Sequence, residues 1–443
     1  MEASEDYMCQ LADELALRIL WYLDGKEILQ VAQTCRRWRQ LAEDEGLWQG
    51  KCKARGIEEP LCITRRKAKA SRSGPWKSSY IRQLSGDTNW RRGKFNRITL
   101  RLTSENCRLY WMAFNGKELV GTSHREIIKI WSAVTGECLR TLVGHTNSIT
   151  EIQMRDHIIV SGCEDGTVNV WNAESGESLH TLCGHIDYVH HVHLHKQRAA
   201  TCSLDCTIRV WDIETGRCLH VLSGHEAAVT WVWYNGHRLM SKDFSNVVKI
   251  WEPETETCLL SVCLHSGAFT TPQFDGKHIV SLLFEDRMIG VWDGETLQRT
   301  HTITGDKSYT PVMTLQNSIL GVATTGRTAE IWNVATGQRV NLLTHPDGFD
   351  LRQQSLVLRG DFLIGRTDTG RVSLWDWRTG TFLRNLFVPN TGESLDRHLL
   401  VSNTKLMCVV ADTWQGIFRY PTKAVVLDFD VKDWARRKIC SVF

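Results

Sequence analysis

The histidine-rich stretch HHVHLH, residues 190–195, is the part of the sequence that most resembles a metal-binding tract. Successive side chains of a β-strand point to opposite faces, and on this basis we expect the histidines to be divided between two faces. We therefore expect a structural role and no bound metal. The segment HEAAV, residues 225–229, lacks the second histidine of a zinc-protease motif, and we exclude it as a metal site.

The fifteen cysteines give no further indication of a metal, because no C-x-x-C pair occurs. Residues 1–10 hold no apolar stretch, so we expect no signal peptide and a reducing, nuclear or cytoplasmic location. Cys138, Cys218 and Cys258 recur at one repeated position, which predicts small buried apolar side chains.

Motifs of catalysis are missing from the sequence. We find no phosphate-binding loop, catalytic triad or paired-carboxylate motif, and we predict a non-catalytic protein without a cofactor. Hydrophobic residues make up 42% of the chain and charged residues 23%, which is typical of a globular protein. No run of about 18 apolar residues is present, so we expect no membrane span.

Tryptophan recurs at intervals of 40, 40, 40, 41, 40 and 43 residues. The positions are Trp131, Trp171, Trp211, Trp251, Trp292, Trp332 and Trp375. Short alternating stretches and Gly-containing turns lie between them, and a period of about 40 residues with Gly-His and Trp-Asp pairs is the signature of WD repeats. The pattern predicts an all-β propeller over residues 98–432. The stretches 405–410 and 424–431 predict an eighth blade, which RITLRLTS, residues 97–104, could complete.

A buried polar network of His, Ser or Thr, Asp and Trp is expected within each blade of this repeat class. Two blades carry the full set: His145, Ser161, Asp165 and Trp171 in one, and His185, Thr201, Asp205 and Trp211 in the other. In the fourth repeat Ser245 stands in place of the Asp, and other blades have Arg125, Gly326 and Thr369 there. Since a partly satisfied buried network is worse than a complete one, we expect a ring less stable than a consensus propeller.

The segment before the repeats predicts short helices. Leu11, Leu15 and Ile19 recur at helical spacing, and Asp24-Gly25 breaks the pattern before a second apolar series begins at Ile28. We assign residues 8–50 to an all-α domain and residues 51–97 to a basic helical linker. Helices this short need a partner surface, which could be the propeller itself or another protein.

The segment from Leu11 to Trp38 resembles an F-box. The resemblance continues in three later stretches: PWKSSYIRQ, DTNWRRG and WSAVTGECLRTLVGH. The whole chain is similar to archipelago-type F-box/WD-repeat proteins, the substrate receptors of Skp–cullin–F-box ubiquitin ligases. This resemblance implies docking on the Skp adaptor, and through it on a cullin–RING ligase, by Leu11, Leu15, Leu20, Leu23 and Val31. Ala12 stands where the F-box has Pro, which pre-sets the first turn of a helix, so we expect weaker docking.

In that family, arginines around one mouth of the propeller clamp a phosphorylated peptide. The matching positions here are Gly166, His190, Leu204, Thr230 and a site near His398, and none is Arg. A charge-assisted hydrogen bond contributes roughly 1.5–3 kcal/mol. Losing three arginines therefore costs about 5 kcal/mol, or more than about a thousandfold in affinity.

We therefore expect a divergent receptor that does not depend on phosphate. The substrate face is predicted to include His190, Thr230, Phe244, Arg287 and Arg327. The two arginines could form a new anion site or be simply solvated. Tyr188, Phe244 and Trp231 suit an unphosphorylated apolar or aromatic segment, although Trp231 could also point into a blade core. Two alternatives to a receptor stay open: a non-degradative scaffold, or a decoy that occupies Skp without presenting a target.

Charge is distributed unevenly along the chain. Residues 1–50 carry five basic and ten acidic residues, residues 51–101 carry fifteen and three, and residues 102–443 carry 33 and 37. The basic run RRKAKASR, residues 65–72, could be a nuclear import signal, an RNA-binding patch or a solvated helix end. We expect no nucleic-acid partner and a monomer outside the ligase complex.

Overall fold

In the computed structural model, the described residues form two compact units. The first unit comprises Met1–Phe95 with Phe429–Phe443, and the second comprises Asn96–Asp428. The described residues are 11–55, 74–102, 109–123, 126–263, 272–283, 288–296, 298–305, 309–325, 327–349, 356–367, 369–391, 393–414 and 417–431.

The first unit is helical. Its helices are α1 (Asp13–Tyr22), α2 (Gly25–Val31), α3 (Arg36–Leu41), α4 (Glu45–Ala54) and α5 (Pro75–Arg92). The break at Asp24-Gly25 is a helix start: Asp24 caps α2 and forms a capping box with Glu27. Asp44 caps α4 by accepting from the Leu47 N–H, and Gly93 ends α5 in the left-handed conformation.

Tryptophans fill the interior of the first unit. Trp38 and Trp48 pack with Leu20 in one apolar core, and the Trp48 indole donates to the Ala42 carbonyl. At the end of α5, Trp90 stacks on Phe429 with ring centroids 3.7 Å apart. Asn89 donates to the Phe429 carbonyl, so the segment that follows the last strand is held on the linker helix by both apolar and polar contacts.

The second unit consists of eight four-stranded antiparallel sheets, which we call blades 1 to 8, in agreement with the predicted eight-bladed propeller. The first strand of the chain, β1 (Asn96–Arg101), belongs to blade 8. Blade 1 is β2 (Leu109–Phe114), β3 (Glu118–Ser123), β4 (Ile127–Ser132) and β5 (Cys138–Leu142). Blade 2 is β6 (Ile149–Arg155), β7 (Ile158–Cys163), β8 (Val168–Asn172) and β9 (Ser178–Leu182). Blade 3 is β10 (Val189–His195), β11 (Arg198–Ser203), β12 (Ile208–Asp212) and β13 (Cys218–Leu222). Blade 4 is β14 (Val229–Tyr234), β15 (Leu239–Asp243), β16 (Val247–Glu252) and β17 (Thr257–Cys263).

The remaining blades follow the same plan. Blade 5 is β18 (Gln273–Phe274), β19 (His278–Leu283), β20 (Met288–Asp293) and β21 (Arg299–Ile303). Blade 6 is β22 (Tyr309–Gln316), β23 (Ile319–Thr324), β24 (Ala329–Asn333) and β25 (Gln338–Leu343). Blade 7 is β26 (Leu356–Arg359), β27 (Phe362–Arg366), β28 (Val372–Asp376) and β29 (Thr381–Phe387). Blade 8 is β30 (Glu393–Val401), β31 (Lys405–Trp414) and β32 (Ile417–Asp428), with β1 paired to β32 from Asn96↔Asp428 to Arg101↔Lys423. The expected ring-closing strand is therefore confirmed.

The repeated tryptophans lie in the third strand of blades 1 to 7 and are all buried. At each of them the pairing with the fourth strand shifts register, as between Val210 and Trp211. The cores lie between neighbouring blades: Ile128 and Ile130 of blade 1 pack with Ile152 and Trp171 of blade 2. Each blade thus depends on the next one for its apolar face.

One expectation about packing was wrong. Cys138, Cys218 and Cys258 are exposed free thiols, each at the start of, or one residue into, the outermost strand of its blade. That strand has no neighbouring strand on its outer side, so a position repeated in every blade is not necessarily a core position.

Candidate functional site

Helix α1 presents apolar side chains at its surface. Leu15 is 50% exposed and Tyr22, seven residues later on the same side of the helix, is 88% exposed. Ile19, between them in helical spacing, is half-buried. Exposed apolar residues in such a row are typical of a protein-binding surface, and we call Leu15, Ile19 and Tyr22 the α1 stripe.

The structure corrects the predicted Skp-binding set at one position. Leu20 is 0% exposed in the core with Ala16 and Ile28, because it faces the other helices and not solvent. Leu11, Leu23 and Val31 are half-buried, so part of each surface stays accessible. The sequence-based set did not include Tyr22, an exposed aromatic residue at the end of α1.

The polar network of blade 3 forms as predicted. His185 Nε2 lies 2.8 Å from Thr201 Oγ1, and His185 Nδ1 lies 2.9 Å from Asp205 Oδ2. The Trp211 indole donates to the same Thr201 hydroxyl at 2.8 Å. All these groups are buried or nearly so, so blade 3 has a closed network.

Blade 2 does not close its network, contrary to prediction. His145 Nε2 contacts Ser161 Oγ at 2.6 Å, but His145 Nδ1 is buried without a hydrogen-bond partner. Asp165 is instead bonded to Thr146 and Thr167. Burial alone would raise the pKa of Asp165, but these hydrogen bonds lower it to about 2.

Blade 4 does close its network, also contrary to prediction. Asp243, at the end of β15, supplies the acid that Ser245 lacks: its Oδ2 lies 2.7 Å from His225 Nδ1. His225 Nε2 lies 2.7 Å from Ser241 Oγ, and the Trp251 indole donates to Ser241 at 2.8 Å.

Blade 6 uses a different group. The Trp332 indole donates to Glu330 Oε2 at 2.9 Å, and the Tyr309 hydroxyl donates to the same oxygen at 2.8 Å. Glu330 is 2% exposed, with Arg339 3.8 Å away. A carboxylate therefore takes the place that a serine or threonine has in blades 2 to 4.

The described members of the predicted substrate face, His190, Thr230, Phe244 and Arg327, lie toward one end of the propeller. Each innermost strand begins at this end, and the loop between the second and third strands of each blade lies there too. Tyr188, His190 and Phe244 form an aromatic cluster: the Tyr188 and His190 ring centroids lie 5.9 Å apart. Phe244 meets His190 edge to face at 6.0 Å and is 49% exposed.

Thr230 belongs to the same neighbourhood. Its backbone hydrogen-bonds the His190 imidazole, and its hydroxyl donates to the Lys242 carbonyl at 3.2 Å. Burial lowers the pKa of His190, and the nearby Lys242 ammonium also lowers it. His190 is therefore uncharged at neutral pH and offers no cation to an anionic ligand.

Of the two arginines proposed for an anion site, the structure describes Arg327, which is not at this cluster. Arg327 lies in the β23–β24 loop of blade 6, at positive φ, with its carbonyl accepting from the Phe349 N–H. Arg287 lies outside the described residues, as does the side chain of His398. The structure thus joins His190, Thr230 and Phe244 and leaves Arg327 two blades away.

The conformation of Gly166 explains its identity. Its φ is +83°, and a Cβ there would lie 2.7 Å from the His185 carbonyl oxygen. An arginine at this position would be strained, so the β7–β8 loop as folded cannot carry one.

The histidine tract differs in detail from the expectation. His191, His193 and His195 are spaced by two residues and share one face of β10, opposite Val192 and Leu194, as strand alternation requires. A bulge between Val189 and His191 leaves His190 out of the regular pairing. The three histidines on the shared face lie toward the aromatic side chains of β14: His191 and Trp231 centroids are 6.3 Å apart, and His193 and Trp233 centroids 5.9 Å. Burial lowers the pKa of His191 to about 3 and that of His193 to about 4.

Trp231 accordingly packs between blades, where it contacts the Met240 core, and it is not part of the aromatic cluster. Within the described part of the chain, no three His, Cys, Asp or Glu side chains come close enough together to hold a metal ion. No helix among the residues described is long and apolar enough to cross a membrane.

Comparison with known proteins agrees with this architecture. The F-box-like family matches residues 8–54, and the WD domain, G-beta repeat, matches residues 136–172 and 176–212. The crystal structure of the computationally designed Ika8 protein superposes with a TM-score of 0.60 at 26% identity, covering 74% of this chain and 98% of that one. The chain thus combines an F-box-like segment with WD40 repeats.

Several curated proteins are similar to part of this chain. F-box/WD repeat-containing protein 7 of Drosophila melanogaster is 39% identical over 153 residues, which is 33% of this chain and 12% of that protein. An F-box protein of Saccharomyces cerevisiae is 27% identical over 159 residues, 31% of this chain and 24% of that protein. The probable E3 ubiquitin ligase complex SCF subunit sconB of Arthroderma otae is 28% identical over 164 residues, 31% of this chain and 24% of that protein. The chain is homologous to F-box/WD repeat proteins, and its matches span 12–24% of these relatives' lengths.

Proposed function

We propose that this chain is the substrate-recognition subunit of a Skp–cullin–F-box ubiquitin ligase. The F-box docks on Skp, and the propeller binds a target protein for ubiquitination without catalysing a reaction itself. The observation that carries the proposal is the exposed α1 stripe in an F-box-like segment that precedes an eight-bladed propeller. The similarity to sconB, a probable E3 ubiquitin ligase complex SCF subunit, supports it.

We also propose that target binding does not depend on the family's phosphorylated motif. His190 is uncharged, and Thr230 and the half-buried Leu204 offer no guanidinium. Arginine binds phosphate through two parallel hydrogen bonds, and uncharged side chains cannot replace that interaction.

The test of docking changes the α1 stripe. Leu15→Asp combined with Tyr22→Asp places two charges in an apolar interface, and recovery of Skp and cullin with the purified chain should fall at least tenfold. Both side chains are at least half exposed, so the helices should stay folded, which circular dichroism checks. Leu20→Asp is unsuitable because Leu20 is in the core.

The matched control is Val134→Asp, which places the same charge on an exposed apolar residue of the propeller. It should leave Skp recovery unchanged. Undiminished recovery of Skp with the double variant would contradict the adaptor function and favour the non-degradative scaffold.

One alternative is favoured by a specific observation. The missing arginines are what a decoy would show if it occupied Skp and presented no target. Affinity purification of the chain with and without residues 8–54 separates the two functions. A receptor recovers a target that is ubiquitinated only when the F-box is present, whereas a decoy recovers Skp alone.

A further inference from the structure

Six loops over blades 2, 3 and 4 lie at the end of the propeller that carries the aromatic cluster. We call them the blade 2–4 mouth: residues 143–148, 164–167, 183–188, 204–207, 223–228 and 244–246. The loops contain five acidic residues and no lysine or arginine. An anionic ligand would therefore meet like charge at this surface.

Three of the acids are exposed to solvent: Asp165, Asp187 and Glu226. Asp165 is held ionised by its threonine hydrogen bonds, as described above. Asp187 directly precedes Tyr188 of the aromatic cluster, and Glu226 follows His225 on the neighbouring blade. Exposed carboxylates thus stand beside the cluster on blades 3 and 4.

The apolar part of the mouth is also open to solvent. Phe244 is 49% exposed, Ile186 is 90% exposed and Val143 is 71% exposed, each in a different loop. The Phe244 ring is held by its edge-to-face contact with His190, and the Phe244 N–H donates to the Ala228 carbonyl. A half-exposed aromatic ring held in place in this way is pre-organised to pack against a partner's side chain.

The cations beside these loops, among the described residues, are strand residues with partners of their own. Lys242 is 2% exposed and lies beside the Asp243 carboxylate, so its ammonium cannot reach a ligand. Arg209 of β12 lies against Gly184 in the mouth and donates to Cys218 on the outermost strand of blade 3. Lys249 of β16 lies near His225 and donates to the Ser261 hydroxyl. The acidic loops favour a basic ligand, and the exposed apolar side chains favour one that also carries an apolar side chain.

We propose that the blade 2–4 mouth binds an unphosphorylated segment of the target in which an aromatic or large aliphatic side chain is flanked by lysine or arginine. The apolar side chain packs on Phe244, and the flanking cations face Asp187 and Glu226. A phosphate adds close to two negative charges and is repelled. The inference rests on the proposed receptor function and names the substrate class that this site accepts.

The experiment selects the ligand without assuming its sequence. Fluorescein-labelled 12-residue positional-scanning peptide libraries are titrated against the full chain by fluorescence polarisation at 50 and 300 mM NaCl. We expect selection of Phe, Tyr, Trp or Leu at one position and of Lys or Arg beside it. Replacing the selected flank by phosphothreonine should weaken binding at least tenfold, and so should the higher salt concentration.

Variants assign the selection to the mouth. Phe244→Ser should remove the apolar preference, and Asp187→Lys with Glu226→Lys should change the flanking preference from basic to acidic. The matched controls are Leu139→Ser, a similarly exposed apolar residue on an outermost strand, and Glu174→Lys, an exposed acid at the other end of blade 2. Neither control should alter the selection.

Preference of the unmodified chain for phosphothreonine or acidic flanks would overturn the inference, and so would the absence of any selected position. Recovery of Skp from the same preparation separates this inference from the proposed function. If the chain recovers Skp but selects no residue at any peptide position, only this inference is contradicted. If the chain selects basic aromatic peptides but the α1 double variant still recovers Skp, only the proposed adaptor function is contradicted.

Discussion

At the scale of single residues, Asp243 shows how a network can be completed from an unexpected position. The acid in blade 3 is Asp205, in the loop after the second strand, whereas in blade 4 the acid is the last residue of the strand itself. Asp243 Oδ2 lies 2.7 Å from His225, and Asp243 Oδ1 accepts from the Val247 N–H at 2.9 Å. One carboxylate thus satisfies both the buried histidine and the turn to the next strand.

This arrangement predicts unequal effects of two neighbouring substitutions. Asp243→Ala leaves the buried His225 Nδ1 without its partner, which costs about 1–3 kcal/mol, so the free energy of unfolding should fall by that amount. Ser245→Ala, an exposed change two residues away, should alter it by less than about 0.5 kcal/mol. Urea denaturation of the full chain measures both values. A larger loss of unfolding free energy for Ser245→Ala than for Asp243→Ala would show that residue 245, the position expected from the repeat, completes the network.

Glu151 is a second residue with a consequence for stability. It lies on β6, the innermost strand of blade 2, and burial raises its pKa to about 8. A carboxyl whose folded pKa exceeds its unfolded pKa contributes stability that is fully present below about pH 4.5. That contribution is lost as the pH rises toward 8, because only the unfolded state ionises freely in that window.

Glu151→Gln should therefore stabilise the chain at alkaline pH. The gain in unfolding free energy is roughly 1–3 kcal/mol at pH 8 and decreases toward zero near pH 5. Melting temperatures of both chains between pH 5 and 9 measure it, and the buried histidines cancel in the comparison because both chains contain them. The exposed change Glu177→Gln is the control. An equal shift of Glu151→Gln at pH 5 and pH 9 would contradict the assignment.

At the scale of elements, the blades differ in how well their buried polar groups are satisfied. Blades 3 and 4 have closed networks built on His185 and His225. Blade 5 has a buried Ser281 hydroxyl without a partner, and blade 6 buries the Glu330 carboxylate. Because an unsatisfied or charged buried group is costly, the later blades should open more readily.

Limited proteolysis should reflect this difference. We predict that the first cuts fall in blades 5 to 8, C-terminal to blade 4, before any cut in blades 3 and 4; mass spectrometry of the fragments locates them. Asp205→Ala opens the network of blade 3 and should bring early cuts into residues 189–222. First cuts confined to blades 3 and 4 of the unmodified chain would contradict the prediction.

At the scale of the whole molecule, closure of the ring explains how the later, less regular blades remain in one structure. Strand β1 comes before the first blade in sequence and completes the last one by pairing with β32. Closure leaves no blade without a neighbour, and Met407 of blade 8 packs with Trp131 of blade 1. Charge is also uneven along the molecule: residues 51–101 are strongly basic, and residues 102–443 are slightly acidic.

The period, the number of blades and the closing strand could all be predicted from the sequence. These features are local or repeated: a tryptophan every 40 residues and a glycine in the turns are visible without knowing what each residue touches. The resemblance to F-box/WD-repeat proteins, and not the repeat pattern, pointed to His190 and Thr230 as residues of one surface, with the aromatic Phe244 near them.

The folded structure was needed to tell which of several similar residues is exposed, which is buried and which completes a polar network. Leu15 and Leu20 are both leucines of α1, and the sequence does not distinguish them. Packing against the other helices buries Leu20 and leaves Leu15 exposed. A bulge in β10, which no periodicity reveals, takes His190 out of the regular pairing of the strand. Asp243 replaces Ser245 because distance to His225, and not alignment with other repeats, determines a hydrogen bond. Contacts between residues far apart in the sequence depend on three-dimensional distances, and no pattern along the chain specifies those.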